Sequence, residues 1–284
     1  MTRQQLVEQI FSKRSYLCVG LDTDISKIPS HLRDHPDAVF EFNKQIIDAT
    51  QAYCVAYKIN TAFYEALGVK GWMALEKTAA YIPSTHFTIA DAKRGDIGNT
   101  SAEYAKAFFK AMDFDALTVA PYMGEDSIRP FLDYKDKWTI VLGLTSNPGA
   151  SDFELQRVLE QEEILDEGVH ISKKRTEYLY ESVLNKVARW GTSSNLMFVV
   201  GATRADEFSR IREMLPEHFF LVPGVGAQGG SLKEVSQKAM NNECGLLVNA
   251  SRAVIYASSD KNFAAAAANV AKAYASEMDL YLPR

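Results

Sequence analysis

Short runs of aliphatic and β-branched residues recur along the chain, and each stops at turn-forming or polar residues. The first four are LCVGLD (17–22), AYKIN (56–60), FTIAD (87–91) and ALTVAP (116–121). Four more follow: TIVLGLT (139–145), LMFVVGA (196–202), FFLVPGV (219–225) and GLLVNAS (245–251). Near-continuous apolar character, rather than strict alternation, marks strands covered on both faces, as in an all-parallel sheet. Segments of helical periodicity such as AVFEFNKQIIDATQAY, TSAEYAKAFFKAM and SLKEVSQKAMNN separate most of them. Each is long enough to cross back over a parallel sheet. Eight such units predict a closed (β/α)8 barrel, with a doubly wound open sheet as the other possibility. No Pro/Gly/Ser-rich linker or low-complexity tract divides the chain, so residues 1–284 read as one domain. The widest interval, 146–195, reads as an insertion plus its barrel helix, helical from Asp152 to Trp190.

Composition agrees with this. The 284 residues suit a barrel, which needs about 250, and the hydrophobic fraction of 47% with 24% charged residues is that of an ordinary globular protein. The formal charge of -5 is spread along the chain without a basic run, which argues against nucleic-acid partners. Cys18, Cys54 and Cys244 form no CxxC pair and lie in apolar stretches, as buried thiols in a reducing compartment do. The first residues, MTRQQLVEQIFSKRS, alternate charged and apolar positions and lack the core of a secretory signal. With no membrane-length apolar run, the expectation is a cytoplasmic protein without membrane contact.

In a barrel of this kind, reactive side chains project from the C-terminal ends of strands and the loops after them. Asp22 closes the first run, Lys58 and Asn60 the second, Asp91 and Lys93 the third. Alternation turns Lys58 and Asn60 one way, and Asp91 and Lys93 likewise while extended geometry lasts. Asp91-Ala92-Lys93-Arg94-Gly95-Asp96 packs two carboxylates and two cations into one strand mouth. Such a cluster either forms a solvated salt-bridge patch or holds a lysine protonated near a reacting carbon. Across the mouth, the glycines of PGVGAQGG (223–230) admit an anion to backbone N–H groups, and Arg252 follows the last strand. Loops after strands seven and eight frequently bind phosphate in barrels, which makes Gln228 and Arg252 candidate side-chain ligands. His31, His35, His86, His170 and His218 are scattered away from strand C-termini and form no HExxH pair, so they read as solvent-facing or structural. No G-x-S-x-G elbow or P-loop occurs.

These residues resemble the orotidine 5'-phosphate decarboxylase family from about Leu17 to Tyr256. The D-x-K-R-x-D motif at 91–96 carries the resemblance most specifically. Asp22, Lys58-Ile59-Asn60, Thr145-Ser146-Asn147-Pro148-Gly149, the Gln228 loop and Ser251-Arg252 follow in the family's chain order. DAKRGDIGNTS, TSNPGASDF and VPGVGAQGG are similar to phrases of its longer bacterial branch; Asn147 stands where many shorter relatives carry histidine. The resemblance implies decarboxylation of orotidine 5'-monophosphate to UMP, with neither cofactor nor metal. It implies a charged catalytic network of Lys58, Asp91, Lys93 and Asp96, with Lys93 protonating C6. It also implies a homodimer in which Asp96 and Thr100 reach the neighbouring site. Asp22 and Lys58 would bind ribose hydroxyls, Asn60 would be a further substrate contact, Ser146 would touch the pyrimidine, and Gln228 with Arg252 would hold the phosphate. Two other readings stay open: a related barrel that decarboxylates a sugar acid phosphate with a metal ion, and a catalytically silent barrel that senses UMP.

Overall fold

The computed structural model describes residues 1–166, 169–226 and 229–284. Along these, the strands are Leu17–Gly20 (β1), Ala56–Asn60 (β2), Phe87–Arg94 (β3), Ala116–Val119 (β4), Trp138–Leu144 (β5), Arg157–Asp166 (β6), Val169–Tyr178 (β7), Leu196–Val200 (β8), Phe219–Pro223 (β9) and Leu246–Ala250 (β10). The barrel closes in the order β1, β2, β3, β4, β5, β8, β9, β10 and back to β1, with every neighbour parallel. The eight apolar runs are its eight strands, as the sequence predicts, and the open-sheet alternative is excluded by the closing β1–β10 pairing.

Covering both faces of these strands is what selects their composition. The helix Ala38–Thr50, for example, buries Val39, Phe42, Ile46 and Ile47, an i, i+3, i+7, i+8 stripe laid on the outer face. The N-terminal helix Arg3–Lys13 is fixed by a capping box between Thr2 and Gln5 and buries Leu6 and Ile10. Inside the barrel, Phe87, Trp138 and Phe219 are the first residues of three strands that are not neighbours, yet their rings meet edge to face. Rings that touch across intervening strands must meet through the interior, so they plug the N-terminal mouth. Space for polar side chains is thereby left at the C-terminal mouth. Among the described residues no helix is long and apolar enough to cross a membrane.

The interval 152–190 departs from the helical expectation. Among its described residues only Leu179–Ala188 is α-helix; Arg157–Asp166 and Val169–Tyr178 are paired antiparallel strands outside the barrel. Glu, Gln, Leu and Lys give that stretch a helical propensity, but propensity is a weak prior that pairing overrides. Here the two strands pair in a register running from Arg157↔Tyr178 to Asp166↔Val169. At its root the Arg157 guanidinium lies 4.8 Å from the centre of the Tyr178 ring.

The histidines with described side chains divide as expected between surface and framework. His31 and His35 are exposed, whereas His86 is buried beneath the barrel, with its Nε2 2.7 Å from the Lys13 ammonium and 2.9 Å from the Gln51 carbonyl. Burial, reinforced by the Lys13 charge, lowers its pKa to about 4. Between an unfolded value of about 6.5 and that figure, the unfolded chain binds a proton that the folded chain refuses. Stability is therefore complete above this window and declines as the pH falls through it, by up to about 1.4 kcal/mol per pH unit for one group. His218 is lowered to about 4 by burial as well and acts in the same sense. Urea unfolding at several pH values between 7 and 4 is expected to show a shallower loss for His86→Gln than for the unsubstituted chain. Identical slopes would locate the acid sensitivity elsewhere.

Candidate active site

At the C-terminal mouth a cavity of about 500 Å³ is lined by Asp22, Lys58, Asn60, Asp91, Lys93, Ser146 and Arg252, with Asn147, Glu154, Asn249 and Ser251. Its floor has two halves. Leu142 on β5, Val199 on β8 and Leu221 on β9 form an apolar crescent on adjacent strands. Lys58 on β2, Asp91 on β3 and Asn249 on β10 form the polar side. A planar, partly apolar ring fits against the first half, and charged or hydroxylated groups against the second.

The polar half is organised as a chain of alternating charge. Lys58 Nζ lies 2.7 Å from Asp91 Oδ2 and 3.4 Å from Asp22 Oδ1, and Lys93 Nζ lies 2.5 Å from Asp91 Oδ1. Thr118 on β4 donates its hydroxyl to Asp91 Oδ1 at 3.1 Å and accepts the Lys93 backbone N–H at 2.9 Å. Both Asp91 oxygens are thus occupied by donors. Burial opposes the charge on Lys58, but Asp91 and Asp22 outweigh it and raise the pKa above the ordinary lysine value. Burial likewise opposes ionisation of Asp91, yet Lys58 and Lys93 overcome it and hold the carboxyl far below the usual carboxylate range. Lys58 and Asp91 are therefore held as a buried Lys⁺ and Asp⁻ that stabilise each other.

Lys93 lies where β3 is irregular. Its φ is +48°, in the left-handed region where non-glycine residues are uncommon, and the β3–β4 register shifts between Ala90 and Arg94. The simple alternation expected for Asp91 and Lys93 does not last to Lys93. The irregular turn, pinned by the hydroxyl of Thr118, instead folds the ammonium back onto Asp91 while leaving it half exposed to the cavity. A backbone conformation of this kind costs about 1–3 kcal/mol and persists only where surrounding contacts impose it.

Other predicted residues fall in different places. Asp96 and Thr100 do not line the cavity: Asp96 Oδ1 accepts the Ile97 N–H, and Thr100 is exposed on the helix Gly98–Lys106. Gln228 lies outside the described residues. Arg252 opens the short helix Arg252–Ile255 and is exposed at the rim beside Gly224 and Val225. Ser146 is held close to β8, where a Cβ on Gly201 would lie 2.7 Å from the Ser146 backbone nitrogen.

The sequence reading missed several groups in and behind the cavity wall. Glu154 accepts the Thr145 N–H and hydroxyl, each at 2.7 Å, and so ties the loop carrying Ser146 to the root of the β6–β7 hairpin, where Tyr180 N–H bonds the Glu154 carbonyl. Nothing in the sequence pairs residues nine apart in a loop. Thr118 and Asn249 had a signal, being polar positions inside apolar strand runs.

Comparison with known proteins accords with this geometry. Residues 15–268 match the model of the orotidine 5'-phosphate decarboxylase / HUMPS family. An orotidine 5'-phosphate decarboxylase of Phocaeicola vulgatus is 54% identical over 282 residues, covering 98% of each chain, and one of Flavobacterium johnsoniae is 56% identical over 267, covering 93% of this chain and 92% of its own. The solved structure of Leishmania donovani OMP decarboxylase superposes with a TM-score of 0.78 at 34% identity over 99% of both chains. This chain belongs to the orotidine 5'-phosphate decarboxylase / HUMPS family.

Proposed function

We propose that the protein decarboxylates orotidine 5'-monophosphate to UMP and CO2, the closing step of pyrimidine nucleotide synthesis. The observation that carries this reading is the alternating chain Asp22, Lys58, Asp91 and Lys93 at the mouth of the barrel, buried at Lys58 and Asp91. The names of its relatives support it. In the reaction the C6–carboxylate bond breaks, CO2 leaves, and the electron pair stays on C6. That pair gains little from resonance, so stabilisation has to come from fixed charge. The Lys93 ammonium, aimed by Asp91 and Thr118, acts on the developing carbanion and then passes a proton from Nζ to C6. Solvent restores the lysine proton.

The remaining roles follow the walls. Asp22 and Lys58 take the ribose hydroxyls, with Asn60 as a further contact on the same rim. Ser146 meets the pyrimidine, whose ring lies on the crescent of Leu142, Val199 and Leu221. Arg252 and Gln228 take the phosphate, whose binding energy contributes to the rate although it is remote from C6. No cofactor or metal enters the proposed mechanism. Both Asp91 oxygens already face ammonium groups, a poor setting for a divalent cation.

Completion of the site calls for a second copy. Asp96 and Thr100 stand outside the cavity of one chain, flanking Ile97, which is 57% exposed. Val69, Trp72 and Met73, beyond the neighbouring strand β2, are exposed as well. An Arg94–Glu65 ion pair joins the two regions. Apolar exposure of this kind marks an interface. We assign the protein as a homodimer in which Asp96 of the partner subunit completes each charged chain. Three buried free thiols suit a cytoplasmic setting.

Loss of orotidine 5'-monophosphate absorbance, followed with purified protein, is expected to continue unchanged in the presence of a chelator. Lys93→Ala is expected to lose more than about 100-fold in turnover while keeping its circular dichroism, because general acid catalysis alone contributes about 10²- to 10⁴-fold. A chelator-sensitive reaction would favour the metal-dependent sugar acid decarboxylase, and binding of UMP without turnover the silent sensor. Arg252→Ala should weaken phosphorylated substrate about 10- to 100-fold relative to the unphosphorylated nucleoside, the usual effect of removing a charged hydrogen-bond partner. Equal losses would remove the phosphate from Arg252. For the dimer, Lys93→Ala and Asp96→Ala subunits refolded together should make about half mixed dimers, restoring roughly a quarter of normal activity through the one intact site in each. Simple addition of the two residual activities, with exchange verified by native mass spectrometry, would return Asp96 to its own subunit.

A further inference from the structure

Arg94 stands between the reacting lysine and the turn that leads to Asp96, yet its side chain does not line the cavity. It packs instead against the helix that follows β3. The guanidinium carbon lies 5.3 Å from the centre of the Tyr104 ring and 5.6 Å from that of Phe108. Those rings, at i and i+4, belong to the helix Gly98–Lys106 and the π-helical turn Ala107–Ala111 that continues it. Glu65, at the end of the helix Ala62–Glu65, pairs with one guanidinium nitrogen, and a second nitrogen donates to the Ala92 carbonyl at 3.1 Å. A cation held by two rings and a carboxylate is a rigid donor.

That donor holds the peptide group on which the conformation of Lys93 depends. The Ala92 carbonyl and the Lys93 N–H belong to one planar trans unit and point opposite ways. The N–H donates to the Thr118 hydroxyl at 2.9 Å and the carbonyl accepts from Arg94 at 3.1 Å, so side chains grip both ends of the unit. The regular ladder is interrupted here. β3 and β4 are in register at Ala90↔Leu117 and again at Arg94↔Val119, which leaves Asp91, Ala92 and Lys93 opposite Thr118 alone. Beyond the irregularity the Ala120 N–H donates to the Arg94 carbonyl at 2.9 Å, so the backbone of Arg94 is anchored as well. The φ of +48° at Lys93 follows from how the Ala92–Lys93 unit is turned, and a flipped peptide would break both of its side-chain bonds at once.

The Lys93 side chain is half exposed and touches Asp91 through its ammonium, so the direction of its stem comes from the backbone beneath it more than from packing. We propose that Arg94 is a positioning residue for the reaction: by holding the Ala92 carbonyl it locks the Ala92–Lys93 peptide and thereby aims the Lys93 ammonium at the reacting carbon. This rests on the reading given above, in which Lys93 protonates C6. Glu65, Tyr104 and Phe108 act through Arg94, since they fix the plane of its guanidinium. A lysine in its place would keep the charge but lack the planar fork that reaches Glu65 and the carbonyl together while lying on the rings.

The test measures decarboxylation kinetics on the intact protein, with calorimetric binding of UMP and of 6-hydroxyuridine 5'-monophosphate and with thermal melting alongside. The ionised C6 oxygen of the second probe puts negative charge where the carbanion forms, so its affinity reports on the aim of Lys93, whereas UMP carries no charge there. Arg94→Met keeps the length and the packing against the rings but removes the charge and the donors. It is expected to lower kcat about 10- to 100-fold, the scale on which misplacing a reacting group acts, and to weaken the C6 anion about 10-fold or more. KM and UMP affinity should change by less than about 2-fold, since the lost interaction belongs to the transition state. Arg94→Lys should recover part of the loss, and Glu65→Gln, which loosens the guanidinium, should show a smaller loss of the same kind. If Arg94→Met fails to fold, those two variants carry the comparison. Unchanged kcat in the variants overturns the positioning role, and so does an equal weakening of both nucleotides, which marks general support of the cavity. An unsubstituted protein that binds neither nucleotide, or turns over no orotidine 5'-monophosphate, overturns the proposed function and this role with it. An active unsubstituted protein alongside indifferent variants overturns the role alone.

Discussion

A carboxylate held between two ammonium groups inside a closed barrel is the arrangement on which the rest of the site depends. Asp91 is 9% exposed and Lys58 4% exposed; burial opposes the charge on each, and the lysines beside Asp91 and the carboxylates beside Lys58 outweigh it. Each charge is tolerable only because of the next. Breaking a buried pair by removing one member leaves an uncompensated charge and is far more damaging than the net worth of the pair suggests. The interlocking makes the array rigid, and rigidity is what electrostatic stabilisation of a short-lived carbanion requires, since donors already in place need no reorganisation.

The fold supplies that rigidity by segregating its chemistry along the barrel axis. Aromatic side chains at the beginnings of β3, β5 and β9 close one mouth, so the interior is a solid support rather than a channel. The opposite ends of the same strands are free to carry charge. Even there the regular structure has to be broken once. Lys93 leaves the extended conformation for a positive φ, stabilised by the Thr118 hydroxyl, and its ammonium comes to rest against the carboxylate two residues behind it. An undistorted strand would leave the lysine's direction to the pleat alone.

The β6–β7 hairpin stands outside the barrel yet bears on the site. Through the Glu154 carboxylate, its root holds the Thr145–Ser146–Asn147 loop that forms one side of the cavity. A part of the chain that adds nothing to the barrel thus bears directly on the wall assigned to the base.

Local information determined the barrel. Doubly covered parallel strands need uninterrupted apolar runs, and LCVG, AYKIN, FTIAD and their counterparts carry that requirement in their composition. The strand-end residues Asp22, Lys58, Asp91, Lys93 and Arg252 were legible for the same reason, because in a barrel a position at a strand's C-terminal end is already a position at the site. Tertiary structure alone decided whatever depends on a partner distant in sequence. The segment 157–178 has helix-favouring residues, and only pairing between its two halves makes it a hairpin. Thr118 and Glu154 acquire their meaning from Asp91 and Thr145, with which no spacing along the chain connects them. Hydrophobic burial acts on every residue of a strand and leaves a pattern, whereas a hydrogen bond across the barrel involves two atoms and leaves none.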